Sequence, residues 1–412
     1  MRKPVICLLA TLDSKHEPIR FMQRALREAG AEPWLIDLSL RPHEQDFADV
    51  GGATVVKAAG LGWDELRALS RADAAQRMID GGTEIMRAKF ERGGIDGLVG
   101  LGGANGSTMA CAIMRQLPLG VPKAMVTPVA ATAAVQWYVG ESDIAMFPTI
   151  GDISLNRVTR AAMRNAAHAV VGMAAGRLAA DEEDGPPLIG VSSFGNTQPA
   201  VDRITAQLEA DGYEVIHFHA SGPGGRALES LAARGELAGV IDLTTSELTD
   251  FVTGGVYSAG EGRLTAAGAA GIPQVVVPGC LDFTNLWVGE VPERYRHRAF
   301  VKYNLEILLM RTVAEEFVTL GRMMGDRLAA AKGPVTVLIP LHGMSGLTAR
   351  RLTDIAGNDV GPWAQPETDR VFLDTLRSRF AGDIRELPLH INDEAFADAC
   401  VAALKASLPP RP

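Results

Sequence analysis

Two glycine clusters, each at the end of a short aliphatic run and at the head of a helix-like stretch, are where this sequence could do chemistry. The first reads Gly97-Leu-Val-Gly100-Leu-Gly102-Gly103-Ala-Asn105-Gly106-Ser107-Thr108. Glycine lets a backbone turn sharply and approach a ligand with no side chain in the way. The amides that open the following helix then face that ligand, and the helix dipole favours an anion there. Ser107 can cap the helix or donate to a phosphate oxygen. One glycine suffices for a tight strand-to-helix turn, but four crowd between positions 100 and 106, so Gly102, Gly103, Gly106 and Ser107 are expected to bind phosphate or carboxylate. No Gly-Lys-Ser/Thr occurs in the chain, so this is not a Walker loop.

The second cluster is His217-Phe-His219-Ala-Ser221-Gly222-Pro-Gly224-Gly225-Arg226-Ala227. Gly222, Gly224 and Ala227 fit the Gly-x-Gly-x-x-Gly/Ala dinucleotide pattern, with Asp242 placed to meet a ribose at the next strand end. Pro223 inside the turn departs from that pattern. Ser221, Gly222, Gly224, Gly225 and Arg226 form a second candidate phosphate site, with Arg226 able to grip an oxyanion in two places. His217 and His219 share one strand face, where one of them serves as an ordinary core histidine and His219 is a candidate for moving protons.

Other strand ends release polar residues too. The first gives Thr11-Leu-Asp13-Ser-Lys15, and folding has no need of that charged pair. Another gives Asp242-Leu-Thr244-Thr245-Ser-Glu247, and a third Ser192-Ser193-Phe-Gly195-Asn196-Thr197. Helix capping alone would account for Thr245 and Asn196. His342, directly after a buried run, is a candidate acid/base. Magnesium needs only one or two carboxylates beside phosphate oxygens, which Asp13, Asp143, Asp242 or Asp282 could supply, Asp13 and Asp242 first. His and Cys spacings do not suit zinc, and no Gly-x-Ser-x-Gly elbow is present.

These residues need a scaffold that delivers strand ends to one place. Short Val/Ile/Leu runs alternate with helical stretches throughout, which predicts an α/β protein of two Rossmann-like lobes with mostly parallel sheets and a cleft between them. Strands are expected at 5–10, 33–38, 97–101 and 123–127, then at 188–192, 214–218, 239–243, 274–277 and 335–340. Helices are expected at 19–29, 63–92, 108–116 and 154–178. In the second half they are expected at 200–210, 226–233, 247–252, 304–330 and 393–407, the last capped by Asn392. The polar region 39–62 should wander over the surface. The acidic, proline-bearing segment 181–187 reads as a linker between lobes 1–180 and 188–412. A length of 412 residues agrees with two domains.

The net charge of −9 and scattered basic residues argue against a nucleic-acid partner. Cys7, Cys111, Cys280 and Cys400 form no Cys-x-x-Cys pair and read as reduced core residues of a cytoplasmic protein, with Cys280 the one candidate nucleophile. The N-terminal apolar run is too short for a signal peptide, and no stretch is long enough to cross a membrane.

Five phrases together resemble one uncharacterised family. They are Thr11-Leu-Asp13-Ser-Lys15-His-Glu17, similar to its "T-F-D-T-K-G-E" opening, and Gly100-Leu-Gly-Gly-Ala-Asn-Gly-Ser. The others are Tyr138-Val-Gly-Glu-Ser-Asp143-Ile, Phe218-His219-Ala-Ser-Gly-Pro-Gly-Gly225 and Asp242-Leu-Thr-Thr-Ser-Glu247-Leu. The similarity runs down to His390-Ile-Asn-Asp393. The family comprises bacterial and fungal proteins similar to the ATP-binding domain of a plant resistance protein that inhibits tomato mosaic virus replication. The resemblance implies a two-lobed Rossmann-like fold, ATP binding and a homodimer, without implying a known reaction. His16 stands where the family has glycine. In the plant protein a barrel-like domain follows, so a barrel here would be a separate partner.

Three functions follow as expectations. The first is an ATP-binding protein, with Mg2+ as its candidate metal, that acts on a small carboxylate or phosphorylated metabolite, with Lys15 and Arg226 neutralising phosphate and His219 or His342 handling protons. The second is a non-catalytic nucleotide sensor that pairs with a barrel protein. The third is an NAD-dependent oxidoreductase built on Gly222, Gly224, Ala227 and Asp242.

Overall fold

The computed structural model describes residues 2–179 and 185–409. Within it the chain divides into two compact units, Met1–Glu183 and Asp184–Pro412. The expected linker 181–187 lies outside the described residues except for 185–187.

Unit 1 opens with β1 (Val5–Ala10), α1 (Leu12–Glu28) and β2 (Glu32–Asp37). There follow α2 (Gly52–Ala58), α3 (Trp63–Ala68), α4 (Arg71–Phe90), β3 (Gly97–Leu101) and α5 (Ala104–Met114). β4 (Lys123–Thr127), α6 (Val135–Val139), β5 (Ala145–Pro148) and α7 (Arg157–Ala179) complete it. The five strands form a parallel sheet in the order β2-β1-β3-β4-β5. One face packs on a core that includes Val55, Met78 and Ile113, and the other on a core that includes Ile19, Met163 and Val170. Burial on both faces explains why β1 and β3 read as continuous apolar runs.

Two local features bear on the site. α1 begins seven residues before the expected helix start and breaks at Lys15, which has φ −133° and ψ 26°. Pro18 explains the break: it lacks an N–H, and its ring crowds the carbonyl four residues back. The region 39–62 does not simply wander either, because it contains α2, whose buried Val55 and Val56 join the core.

Unit 2 begins with β6 (Leu188–Ser193), α8 (Gln198–Ala210), β7 (Glu214–His219), α9 (Pro223–Ala233), β8 (Gly239–Thr244) and α10 (Ser246–Thr253). Next are α11 (Ala266–Ala270), β9 (Gln274–Gly279), β10 (Phe283–Trp287), β11 (Phe300–Lys302), β12 (Ile307–Arg311) and α12 (Ala314–Ala329). It ends with β13 (Val335–Pro340), β14 (Arg351–Thr353), β15 (Asp359–Pro362), α13 (Pro366–Arg379), β16 (Asp383–Leu387) and α14 (Glu394–Ser407). Six strands make a parallel sheet ordered β16-β13-β9-β8-β6-β7, covered on its faces by separate apolar clusters. A further five-stranded sheet, β10-β12-β11-β14-β15, is antiparallel and packs around Phe283 and Trp363.

That antiparallel sheet corrects the expected helix 304–330. Residues 307–311 instead pair with β10 and β11, and the helix starts only at Ala314. The four-residue apolar run at 307–310 carries no periodicity that separates strand from helix, so its pairing partners decide. Asn392 does not cap α14 either. The cap position is Asp393, and the Asn392 amide donates to the Asn196 carbonyl at 3.0 Å.

Candidate functional site

In an open parallel sheet, ligands collect beyond the carboxyl ends of the strands where the strand order reverses. In unit 1 the order reverses between β1 and β3. There the loops after β1, β2 and β3 enclose a cleft of about 1150 Å³. Thr11, Asp13, Ser14 and Lys15 come from the first loop, Arg41 and His43 from the second, and Gly103, Ala104, Asn105 and Gly106 from the third. Arg67 and Arg71 close the rim from α3 and α4. Four cationic side chains thus face one carboxylate, Asp13.

The first glycine cluster divides by role. A methyl on Gly102 would lie 2.8 Å from the Gly106 Cα, so glycine is needed there to bring β3 against the helix. A methyl on Gly103 would meet no atom within 4 Å, and one on Gly106 only the Leu101 carbonyl at 4.0 Å. Neither has a positive φ, so nothing in the protein itself demands glycine at these two positions, which both line the cleft. The helical hydrogen-bond ladder starts with Ser107 N–H to the Gly103 carbonyl at 2.8 Å. The amides of 104–106 precede it, and amides of a first turn have no carbonyl within their own helix to meet. Ser107 departs from expectation: its hydroxyl is fully buried and donates to Thr127 Oγ1 at 2.8 Å and the Gly102 carbonyl at 3.2 Å. It ties the loop to β4 and is not part of the cleft lining.

Asp37, which sequence reasoning passed over, organises the cleft. At the end of β2 and buried, it accepts from Leu12 N–H at 3.1 Å, Ser39 Oγ at 2.5 Å and Gly52 N–H at 3.3 Å. Ser39 Oγ in turn accepts from Asp13 N–H at 3.0 Å, so β2 holds the turn that presents Asp13. His43 Nε2 lies 2.8 Å from Asp37 Oδ2, and Gln45 N–H donates to His43 Nδ1 at 3.1 Å. Since Nδ1 accepts, Nε2 carries the proton and donates to Asp37. Lys15, beyond the break in α1, donates to the Ile153 carbonyl at 3.3 Å and sits 3.7 Å from Asp152. Its ammonium is held at the cleft by contacts weaker than a close ion pair.

Unit 2 treats its glycine cluster differently. The α9 N-terminus is already occupied by a carboxylate of the same chain: Glu247 Oε1 accepts from Gly222 N–H at 2.7 Å and Gly225 N–H at 3.0 Å. A methyl on Gly225 would fall 2.0 Å from Glu247 Oε2, and one on Gly224 2.0 Å from the His219 carbonyl. Gly222 has φ +96°. Each of the three glycines therefore has an internal reason. Glu247 Oε2 also meets Arg263 Nε at 2.6 Å, and the same guanidinium holds Asp242 through bonds of 2.5 and 2.6 Å. Burial pushes the Glu247 carboxyl upward against the pull of Arg263.

This cluster corrects several expectations for unit 2. Asp242 is buried, and its oxygens are taken by Arg263 and by Ser192 Oγ at 2.7 Å, which leaves no ribose anchor or magnesium ligand there. Thr244 and Thr245 are buried, bonded to Thr197 Oγ1 at 2.8 Å and the Val277 carbonyl at 3.0 Å. In unit 1, Asp143, the further magnesium candidate, is bonded to Lys123 at 2.7 Å and to Gly120 N–H at 2.8 Å. Ser221 Oγ reaches the His219 carbonyl at 3.4 Å, and Arg226 is exposed on the first turn of α9. His219 packs its ring 5.1 Å from that of Phe194, and burial lowers its pKa. His342 is exposed at the end of β13, in the lining of a separate cavity that does not include His219.

All four cysteines are buried and free. Burial pushes the Cys111 thiol up to about 12 and raises Cys280 well above its ordinary value, so Cys280 is no ready nucleophile. Among the described residues no helix is long and apolar enough to cross a membrane, and no group of three or more His, Cys, Asp or Glu is placed to hold a metal ion.

Both units match one family: the "Uncharacterised protein family (UPF0261) N-terminal domain" over residues 4–179 and its C-terminal domain over residues 186–408. A UPF0261 protein of Clostridium tetani is 37% identical over 98% of this chain and 98% of its own length. One from Rhizobium meliloti is 38% identical over 97% of this chain and 98% of its own. The ToMV resistance protein Tm-1(GCR237) of Solanum lycopersicum is 30% identical over 97% of this chain, which spans 55% of the tomato protein. The chain belongs to the UPF0261 family.

Proposed function

We propose that this member of the UPF0261 family binds the phosphates of a small molecule, ATP by the resemblance described above, in the cleft of unit 1. The observation that carries the reading is the pairing of sterically unexplained glycines, Gly103 and Gly106, with four cationic side chains around one helix N-terminus. Amides 104–106 would receive phosphate oxygens, and Lys15, Arg41 and Arg71 would neutralise their charge. Asp13 is the carboxylate available to share a magnesium ion with those oxygens, which is as much protein ligation as such an ion commonly needs. The α9 N-terminus, filled by Glu247, takes no part in this proposal, nor does the dinucleotide reading that depended on Asp242.

A second reading, nucleotide sensing without turnover, is favoured by one observation. The histidine of the cleft, His43, has both ring nitrogens engaged and so has no nitrogen left for proton transfer.

Calorimetry with ATP and magnesium, and separately with inorganic triphosphate, tests phosphate binding. Saturable heat from both is expected, falling at least about tenfold in affinity for Lys15→Ala and weakening as salt is added. Absence of heat at millimolar nucleotide and triphosphate would end the proposal. Where binding is found, release of inorganic phosphate from ATP would remove the sensing reading.

A further inference from the structure

A second cavity, of about 440 Å³, lies in unit 2 beyond the end of β13. Ile339, Met344, Trp363, Phe372 and Leu373 give it apolar walls. Its volume lies within the range of small-molecule sites, which combine such walls with a few convergent polar groups. Here the carboxylates are Asp282 and Asp369, and His342, Thr348, Gln365 and Arg370 are the other polar side chains of the lining.

Asp282 is 3% exposed. Its Oδ2 accepts from Ser345 Oγ and from Trp363 Nε1, both at 2.7 Å. Its Oδ1 is buried and has no hydrogen-bond partner among the described residues. A buried carboxylate oxygen without a donor is costly, and folded proteins seldom leave one. The fold has built half of a carboxylate site and left the other half for something that donates.

Charge says what that something is. Asp369 pairs with Arg311, and the rest of that guanidinium goes to the carbonyls of Trp363 at 3.1 Å, Asp282 at 3.2 Å and Thr312 at 3.4 Å. Arg370, at the rim, is drawn outward to Asp374 at 3.0 Å and Glu386 at 3.1 Å. One buried cation therefore stands near two carboxylates and bonds only that of Asp369. Burial first, and the neighbouring Asp282 after it, raise the Asp369 carboxyl to about 6 against the pull of Arg311. An anionic ligand would be repelled. A bare metal ion would find too few ligands here, and the apolar walls would be wasted on it.

We propose that this cavity is a second ligand site that takes a small organic ammonium, its charged nitrogen donating to Asp282 and its apolar body lying against Trp363 and Phe372. An aromatic wall beside a carboxylate suits such a cation doubly, through the ring face and the ion pair. The inference is independent of phosphate binding in unit 1, since it concerns another unit and a ligand of opposite charge.

The test is calorimetry on the full chain with cyclohexylmethylamine, cyclohexylmethanol and cyclohexanecarboxylate, which share a body and differ in charge. The amine is expected to bind at least about tenfold tighter than either isostere, and Asp282→Asn to remove about tenfold or more of its affinity. No binding of the amine at millimolar concentration would overturn the proposal. So would equal binding of the alcohol or carboxylate, or an Asp282→Asn protein that binds as well as the native one. Should that variant fail to fold, the isostere series on the native chain still decides. A crystal soaked with the amine must also place its nitrogen on Asp282; a nitrogen elsewhere refutes the proposal.

Discussion

Adding one methyl group at Gly103 should leave the stability of unit 1 nearly unchanged and make it distinctly worse at holding phosphate. The residue has φ −70° and ψ −163°, extended backbone that alanine adopts without strain. The added carbon would meet no heavy atom within 4 Å. The unfolded chain loses freedom, a gain of about 0.4–1 kcal/mol, and the poorer N-cap that alanine makes at the head of α5 offsets it by a similar amount. For a unit of this size the melting temperature should therefore move by no more than about 4 °C. In the cleft the methyl stands beside the amides of 104–106, where the proposed phosphate would lie. Losing one charge-assisted bond to an oxyanion costs about 1.5–3 kcal/mol, or roughly ten- to a hundredfold in Kd. Differential scanning calorimetry and titration with inorganic triphosphate read the two effects separately. Gly102→Ala supplies the contrast: its methyl would press the Gly106 backbone at 2.8–2.9 Å, so stability should fall. A Gly103→Ala protein that melts as low as Gly102→Ala would show that Gly103 has a structural duty, and one that binds triphosphate as tightly as the native chain would show that the phosphate assignment is wrong.

Unit 2 invites three further tests. Arg263→Met would strand Asp242 and Glu247 as buried carboxylates without their counter-ion, and denaturant unfolding should show a loss of about 3–5 kcal/mol; a loss below about 1 kcal/mol would mean the cluster is neutral when folded. Gly225→Ala must displace the Glu247 carboxylate from 2.0 Å, at a cost of about 2 kcal/mol or more, and a variant of native stability would contradict the plugged helix end. Asp369 has its folded pKa raised to about 6 from an ordinary 3.8. Its ionisation thus opposes folding: the penalty is absent below pH 4, grows between pH 4 and 6, and is complete above. Relative to Asp369→Asn, the native protein should lose about 3 kcal/mol of stability across that window, and a flat difference would refute the shift.

Much of the scaffold was legible because buried parallel strands write themselves as apolar runs between helices. Val5–Ala10, Gly97–Leu101, Lys123–Thr127 and Val335–Pro340 appear in the structure with the expected bounds. The antiparallel sheet was not legible. Its short strands, such as Phe300–Lys302, take their identity from partners far along the chain. The same division runs through the site. Asp13, Lys15 and the first glycine cluster announced themselves by type and spacing. Asp37, His43, Arg41 and Arg71 did not, because nothing local distinguishes a carboxylate that anchors a neighbouring turn or an arginine that closes a rim.

The two glycine clusters show where local information stops. Both promise a helix N-terminus that attracts negative charge, and the second also fits a dinucleotide spacing apart from Pro223. Which of them remains open depends on whether some other part of the chain brings an anion to it. Glu247, more than twenty positions away, reaches the amides of Gly222 and Gly225 and is backed by Arg263, whereas Gly103 lies in a cleft lined by one carboxylate, Asp13, and ringed by cations. Attraction for an anion is a property of the backbone turn and can be read from residue types. Whether the protein satisfies that attraction internally is a property of the packed fold, and only three-dimensional proximity determines it.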